Sequence, residues 1–184
     1  MEAGADMSAV SLHKTGGSLT QSSGLLLKEG IIDKNRVKTI LNLTTSTSAS
    51  YLLMASLDGA RKILATRGRE ILCEKLELVR WARKEINAID GMYAFSTELV
   101  DKEGVFSFDE TKLGINVSKL GLTGFQAYDI LRDEYNIQME LGDIYNVLGI
   151  VSLGDSKDAI EALVDALKDI SLKYKKEEFK CDLI

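Results

Sequence analysis

Apolar residues recur every three or four positions in several stretches of the chain, a spacing that places them on one face of an α-helix. The clearest stretch runs from Leu72 to Ile86, and the charged residues between Arg69 and Glu85 are expected to form its solvated face. Further helices are predicted after Asp33, from about Ser50 to Ala65, from about Thr123 to Asn136, and after Asp155, with Asp33, Thr123 and Asp155 as N-caps. The apolar positions expected to be buried are Val37, Ile40 and Leu41; Leu72, Leu76, Val79, Ala82 and Ile86; Phe125, Tyr128, Ile130 and Leu131; and Ile160, Leu163, Val164, Leu167 and Ile170.

After Asp90 the apolar period shortens to about two, which is typical of β-strands. The strands predicted there are Met92–Phe95, Leu113–Val117, Ile137–Leu141 and Val147–Leu153. The last of them is nearly all apolar, which favours a central place in the sheet. Two earlier runs, Ser8–Leu12 and Gly24–Leu27, also predict short strands. Strands interleaved with helices predict an α+β module with helices on one side of an antiparallel or mixed sheet.

Composition and charge narrow the classes of partner. The 184 residues are 45% hydrophobic and 28% charged, as in an ordinary globular protein, and the net charge of -5 disfavours nucleic acid as a partner. No segment approaches the roughly 20 apolar residues that a membrane span needs. The two cysteines, Cys73 and Cys181, suit neither a disulfide framework nor a metal site, which favours the reducing cytoplasm.

The candidate chemistry lies in the run from Ser11 to Gly17, where Lys14 is a potential nucleophilic amine. Ser11, His13 and Thr15 can donate hydrogen bonds to an anionic group, and the paired glycines let the backbone approach a ligand closely. On spacing alone the alternative is a polar loop after a short strand, with Lys14 solvated. The motif by itself does not decide between the two interpretations.

Three separated segments resemble the bacterial ornithine/lysine/arginine decarboxylases. They are Asp6–Ser22, Ser46–Asp58, and Gly121–Phe125 continuing to Glu140, and they occur in the family's order. The resemblance extends from about Glu2 to about Tyr174. Members of this family are pyridoxal-phosphate enzymes of the aspartate-aminotransferase fold type.

The resemblance implies an architecture of α/β to α+β class. Residues 1–45 would be the end of the large pyridoxal-phosphate-binding domain, residues 46–90 a helical connection, and residues 91–184 a small C-terminal α+β domain. Relatives are at least dimers with shared active sites, so the resemblance also implies a homo-oligomer.

The resemblance also implies the roles of particular residues. Lys14 would hold pyridoxal phosphate as an imine, with Ser11 and His13 on its phosphate. Ser46 and Thr47 fall where the family places a threonine that reaches the phosphate of the partner subunit, although Ala49 replaces the family's usual proline. The family's substrate-facing acidic residue falls near Glu140, with Asp143 a weaker candidate, and the alternative for Glu140 is an exposed strand glutamate. No metal ligands are implied.

In the implied reaction, the substrate amine displaces Lys14, carbon dioxide leaves, and Lys14 or His13 returns a proton to Cα. The substrate would be ornithine, lysine or arginine. The family's ring-nitrogen aspartate and ring-stacking group come from well upstream of the lysine, and only 13 residues precede Lys14. We therefore expect the C-terminal part of a decarboxylase, either a truncated reading frame or one half of a split enzyme, that is inactive or nearly inactive alone. Activity would then need a complementary N-terminal half. The alternatives are a non-catalytic remnant or dimerisation module, and an aminotransferase of the same fold.

Overall fold

The computed structural model describes residues 4–100 and 102–174, and the chain divides into two compact units, Met1–Ile71 and Leu72–Ile184. Each unit is described by itself. Cys73 is exposed, and Cys181 lies outside the described residues. The three-part domain division expected from the sequence stays a prediction.

The first unit opens with an antiparallel hairpin. Strand β1 (Met7–Val10) pairs with β2 (Gly24–Leu27) in a register that places Met7 opposite Leu27. Both strands were predicted, and β2 has the predicted bounds. The connection between them contains a four-residue helix, α1 (Leu12–Thr15), so the residues from Ser11 to Gly17 are held between two paired strands.

Helix α2 (Lys34–Thr44) begins at the predicted cap, where the Asp33 carboxylate accepts a hydrogen bond from the backbone of Asn35 at 2.9 Å. The prediction of a buried apolar face is wrong for this helix. Ile40 and Leu41 are exposed, and Leu43 is 81% exposed. The helix therefore presents an apolar surface that the described part of the chain does not cover.

Helix α3 (Tyr51–Asn87) runs for 37 residues, beginning in the first unit and ending in the second. The sequence predicted two helices with a break after Ala65, and this is wrong. The helix continues through the intervening residues, including the buried Gly68, because an isolated glycine is tolerated inside a helix.

Replacing Gly59, in the middle of α3, with alanine is expected to stabilise the chain by about 0.5–1 kcal/mol, because glycine is a poor helix former. A Cβ at this position meets nothing within 4 Å. The measurement is the free energy of unfolding in urea. Gly30→Ala is the matched control: its Cβ also meets open space, but φ is +84°, so a loss of about 1 kcal/mol is expected there. Equal effects of the two substitutions would contradict this account.

The second unit contains a four-stranded antiparallel sheet in the order β3-β4-β6-β5. Its strands are β3 (Tyr93–Ala94), β4 (Lys112–Asn116), β5 (Leu141–Gly142) and β6 (Asn146–Ile150). The predicted central position of the last strand is confirmed, since β6 lies between β4 and β5. Three buried residues form the centre of the sheet's core, Leu113, Ile115 and Val147.

The strand predicted over Ile137–Leu141 is wrong except at its end. Asn136 adopts the left-handed conformation, with φ 56°, and Ile137 N–H donates to Leu131 O at 2.9 Å, so this segment completes the preceding helix. Met139 is buried, with its Cε 3.2 Å from the Cβ position of Gly149. Regular strand geometry is therefore confined to β5.

Helix α4 (Gly124–Tyr135) has the predicted N-cap: Thr123 and Gln126 form a reciprocal capping box. Leu131 is buried as predicted, Tyr128 and Ile130 are half-buried, and the prediction for Phe125 is wrong because its side chain is exposed. The residue lies in the first turn of the helix, at the edge of the apolar face.

Helix α5 (Lys157–Tyr174) buries the whole predicted stripe of Ile160, Leu163, Val164, Leu167 and Ile170. Its cap differs from the prediction. Asp155 accepts hydrogen bonds from the backbone N–H and hydroxyl of Ser152, at 2.6 and 2.8 Å, whereas Ser156 Oγ accepts from Ala159 N–H at 3.2 Å. Ser156 therefore caps the helix and Asp155 closes the preceding turn.

Two cations of α3 that were predicted to be solvated are buried, Lys75 and Arg83. Arg83 donates to the backbone carbonyls of Phe95, Glu110 and Lys112, at 2.5, 3.0 and 3.1 Å. Burial lowers the pKa of Arg83, partly offset by the negative charges of Glu110 and Glu98. One side chain thereby links the backbone just after β3 to the backbone at the start of β4.

Arg83→Met is expected to destabilise the second unit by about 3 kcal/mol, because it leaves three half-buried carbonyls without their donor. The urea unfolding free energy measures the loss. Arg80→Met is the matched control: Arg80 is exposed and makes a bidentate pair with Glu110 only, at 2.6–2.7 Å, so its loss should be much smaller. Similar losses in the two variants would contradict the structural role given to Arg83.

Candidate functional site

Lys14 lies on α1, one turn long, and its side chain is exposed. Two backbone hydrogen bonds define the turn: Lys14 N–H donates to Ser11 O at 3.1 Å, and Gly16 N–H donates to Leu12 O at 2.9 Å. Gly16 is required here, because a Cβ would lie 2.7 Å from that carbonyl oxygen, and Gly17 reverses the chain with φ 85°. Lys14 is therefore held on a defined turn with its side chain exposed.

His13 is less exposed than Lys14. It is half-buried, and its backbone N–H and its ring Nδ1 both contact the carbonyl oxygen of Ser22, at 3.2 and 2.7 Å. Ser22 itself is buried. Ser22 was not predicted to have a role, and its only signal in the sequence is its place just before β2.

The hydroxyls of Ser11 and Ser18, which lie close to Lys14 in the sequence, are not used in local hydrogen bonds. Ser11 stands at the N-cap of α1, but its side chain makes no capping hydrogen bond. Ser18 is only 8% exposed, and its Oγ has no hydrogen-bond partner among the described residues. A buried hydroxyl without a hydrogen-bond partner costs folding free energy, so the hydrogen-bonding capacity of this segment is not fully used. Ser18 was missed because nothing in its sequence neighbourhood predicts burial.

Ser46 and Thr47 are exposed in the segment between α2 and α3. Ser46 Oγ accepts a hydrogen bond from Ser48 N–H at 3.1 Å, which closes a local turn. A further link was not predicted from the sequence: Leu19 N–H donates to Ser56 Oγ of α3 at 2.7 Å. This bond fastens the segment that follows Lys14 to α3 within the first unit.

Glu140 lies in the second unit, where its side chain is exposed and its N–H donates to Leu148 O at 2.9 Å. The carboxylate of Asp143 is engaged locally, since it accepts hydrogen bonds from the backbone N–H groups of Tyr145 and Asn146 at 2.7 and 2.6 Å. The amide of Asn146 in turn contacts Asn116 at 3.0 Å. Asp143 therefore shapes the turn before β6, and Glu140 has the more available carboxylate of the two.

The turn at Asp143 gives an expected pH dependence. Desolvation raises the pKa of Asp143, but hydrogen bonds from the Asn146 side chain and from the Tyr145 and Asn146 backbone outweigh it, so the pKa is lowered. A carboxyl with a lowered folded-state pKa stabilises the fold above its unfolded pKa of about 3.9, and this is lost as the pH falls through the folded pKa. The difference in unfolding free energy between the wild type and Asp143→Ala should therefore be constant above about pH 5 and shrink towards pH 3. A difference that does not change over this range would contradict the assignment.

No group of three or more His, Cys, Asp or Glu side chains among the described residues could hold a metal ion. None of the helices in residues 4–100 and 102–174 is both long and apolar enough to span a bilayer.

Comparison with protein families shows which family the chain is related to. The family model described as "Orn/Lys/Arg decarboxylase, major domain" matches residues 2–114, more than half of the chain. The chain belongs to the Orn/Lys/Arg decarboxylase family. The resemblance noted in the sequence is thereby confirmed, and Lys14 lies within the matched region.

Relatives in the Orn/Lys/Arg decarboxylase family are similar over nearly all of this chain. It is 49% identical over 175 residues to an arginine decarboxylase of Halalkalibacterium halodurans, and 47% identical over 178 residues to an arginine decarboxylase of Bacillus subtilis. These alignments cover 95% and 97% of the chain but 36% of each relative. The chain thus spans about a third of the length of the curated relatives it matches.

Solved structures confirm the fold class. The chain matches the Francisella novicida lysine decarboxylase LdcF with a TM-score of 0.78 and 22% identity, over 91% of this chain and 28% of that one. A Nostoc alanine–glyoxylate aminotransferase matches with a TM-score of 0.66 and 16% identity, over 91% of this chain and 48% of that one. At these identities the likeness carries the fold alone, which the Orn/Lys/Arg decarboxylase family shares with an aminotransferase.

Proposed function

We propose that this chain supplies the lysine-bearing segment and the C-terminal part of a pyridoxal-phosphate-dependent decarboxylase of a basic amino acid. The observation that carries the proposal is the exposed Lys14, held on a hydrogen-bonded turn inside the region that matches the family model. Arginine is the first substrate to test, because relatives that are 49% and 47% identical are named arginine decarboxylases.

The residues around Lys14 fit an aldehyde cofactor that carries a phosphate. The amine is accessible, the hydroxyl of Ser11 is not used as a cap, and the buried Ser18 Oγ has no partner among the described residues. A phosphate oxygen can accept from such hydroxyls, and a primary amine can attach the aldehyde carbon. This fit supports the cofactor that the family resemblance implies.

Each residue has a proposed role. When bound, pyridoxal phosphate would supply the electron sink for breaking the bond between Cα and the carboxylate. Lys14 would hold the cofactor through Nζ and later carry a proton to Cα, while Ser11 and His13 would hold the phosphate. Ser46 and Thr47 would reach the phosphate of a partner subunit. Glu140 would select the cationic end of the substrate, because a carboxylate in a partly dry pocket favours a basic group.

The chain spans 36% of its curated relatives, and we propose that the rest of the active site comes from a second polypeptide or from a longer form of the protein. The chain alone would then have no decarboxylase activity. We also propose a homo-oligomer acting in the cytoplasm on a basic amino acid, without nucleic-acid or membrane partners.

The test is complementation. The purified chain is mixed with a separately produced polypeptide comprising the part of the Bacillus subtilis relative that the chain does not cover, and carbon dioxide release from arginine, lysine and ornithine is measured after addition of pyridoxal phosphate. We expect release only in the mixture and fastest with arginine. Release by the chain alone would contradict the proposed division of the site. A keto acid product without carbon dioxide would favour an aminotransferase.

The exposed apolar residues around the α2–α3 connection favour a second candidate, a non-catalytic interaction module. Leu43, Tyr51 and Leu52 are each at least 78% exposed. A cluster of large apolar side chains on the surface marks a contact with another protein surface. A mixture that forms a stable complex but releases no carbon dioxide from any of the three amino acids would support this candidate over the first.

A further inference from the structure

We infer that His13 is a positioning residue for Lys14, and that it acts through the backbone carbonyl of Ser22. The pairing of His13 with this carbonyl is called the His13–Ser22 clamp below. The inference rests on the proposed function of Lys14, but the clamp is a property of the chain itself and can be measured without cofactor.

The clamp consists of two hydrogen bonds that converge on one oxygen. The backbone N–H and ring Nδ1 of His13 lie 3.2 and 2.7 Å from Ser22 O. A carbonyl oxygen can only accept, so Nδ1 carries the proton. Since Ser22 is buried, water competes little for this acceptor, and the two bonds are retained. The segment after α1 is thereby hydrogen-bonded to His13, the second residue of that helix.

The helix needs this tie. Four residues with two backbone hydrogen bonds are far too short to be stable by themselves, because the cost of nucleating a helix exceeds what so few bonds return. His13 and Lys14 are consecutive, so their side chains point about 100° apart around the turn. The clamp holds His13 on the half-buried side of the turn. Lys14, on the neighbouring side, is thereby directed to solvent.

The clamp also fixes the tautomer of His13. In the neutral imidazole, a proton on Nδ1 leaves Nε2 with a lone pair. Neutral His13 can therefore only accept a hydrogen bond at Nε2. A fully deprotonated phosphate oxygen can also only accept, so a hydrogen bond between the two needs a second proton on the ring. The protonated nitrogen therefore distinguishes two roles: the inferred role needs the proton on Nδ1, whereas a neutral ring that donates from Nε2 would have no proton on Nδ1.

The first test is the nitrogen NMR spectrum of the imidazole. His13 is the only histidine in the sequence, so in the chain labelled with nitrogen-15 histidine its two ring signals are unambiguous. Recorded at alkaline pH, where the neutral form is observed, the spectrum should show a protonated Nδ1 and an unprotonated Nε2. A predominantly Nε2-protonated ring would overturn the inference.

The second test uses a matched pair of substitutions. His13→Asn keeps an N–H donor at the position of Nδ1, whereas His13→Gln moves it to the position of Nε2. Hydrogen exchange of the Gly16 amide, which donates to Leu12 O, reports the integrity of α1. We expect His13→Asn to exchange at nearly the wild-type rate and His13→Gln to exchange at least about 10-fold faster. Equal rates in the two variants, or slower exchange with glutamine, would overturn the inference.

Labelling links the clamp to function. In the complemented mixture, borohydride reduction with pyridoxal phosphate should modify Lys14 more selectively in His13→Asn, which keeps the donor to Ser22 O, than in His13→Gln, which does not. The spectrum and the amide exchange are obtained without cofactor, so they decide on the clamp even where the wild type is not labelled at Lys14 and the proposed function fails.

Discussion

Replacing Gly124 with alanine is expected to destabilise the second unit by about 3 kcal/mol or more, because an added Cβ has no space and its neighbours are backbone atoms. It would lie 1.9 Å from Asn146 O and 2.6 Å from Asp143 O. These carbonyls are this close because the start of α4 donates hydrogen bonds to the same turn, with Phe125 N–H on Asp143 O at 3.0 Å. The turn cannot move aside without breaking those bonds.

The unfolding free energy of Gly124→Ala, measured in urea, checks this expectation. Gly154→Ala is the matched control in the same unit, since its Cβ would be in ordinary contact, 3.9 Å from Ser152 Oγ, and a change within about 0.5 kcal/mol is expected. Equal stability of the two variants would contradict the close packing of α4 on the turn before β6.

Lys14→Arg is expected to reduce decarboxylation in the complemented mixture to background, with little change in stability. Arginine keeps the positive charge, but its guanidinium stays protonated and cannot attach an aldehyde carbon. Lys14 is exposed and its side chain carries no packing, so the fold should be unaffected. The rate of carbon dioxide release and the urea unfolding curve measure the two effects.

Lys28→Arg is the control for Lys14→Arg, since Lys28 is exposed just after β2 and has no proposed role. It should keep the wild-type rate. A Lys14→Arg mixture that retains decarboxylation would show that another lysine carries the cofactor.

The parts of the fold that depend on local pattern were predictable. The stripe on α5 indicates burial on one face, and the caps at Asp33 and Thr123 follow from side chains that satisfy the first helical N–H groups. These signals reside within a few consecutive residues, so no knowledge of distant contacts was needed.

The errors lie where distant residues decide. Arg83 was predicted to be solvated like the other cations of α3. It is buried instead, and it donates to carbonyls that lie 12 to 29 residues away along the chain. The segment after Asn136 alternates as a strand does, but its first N–H is taken by Leu131 of α4. The apolar spacing of α2 was recognised correctly, but burial does not follow from spacing alone, and Ile40 and Leu41 are exposed.

The candidate site was predictable by family resemblance and only weakly from its own residues. A lysine between histidine and threonine before two glycines is compatible with a solvated loop, and its specificity came from matches elsewhere in the chain. The clamp on Ser22 and the buried Ser18 hydroxyl were not predictable, because both depend on the return of the chain into β2.

The central claim, that Lys14 is the cofactor lysine, is tested most directly by chemical labelling. The complemented mixture is incubated with pyridoxal phosphate, the visible imine band is recorded, and the sample is reduced with borohydride and digested for mass spectrometry. We expect one stoichiometric adduct on Lys14 that is lost in Lys14→Ala. Adducts spread over surface lysines with no preference for Lys14 would contradict it.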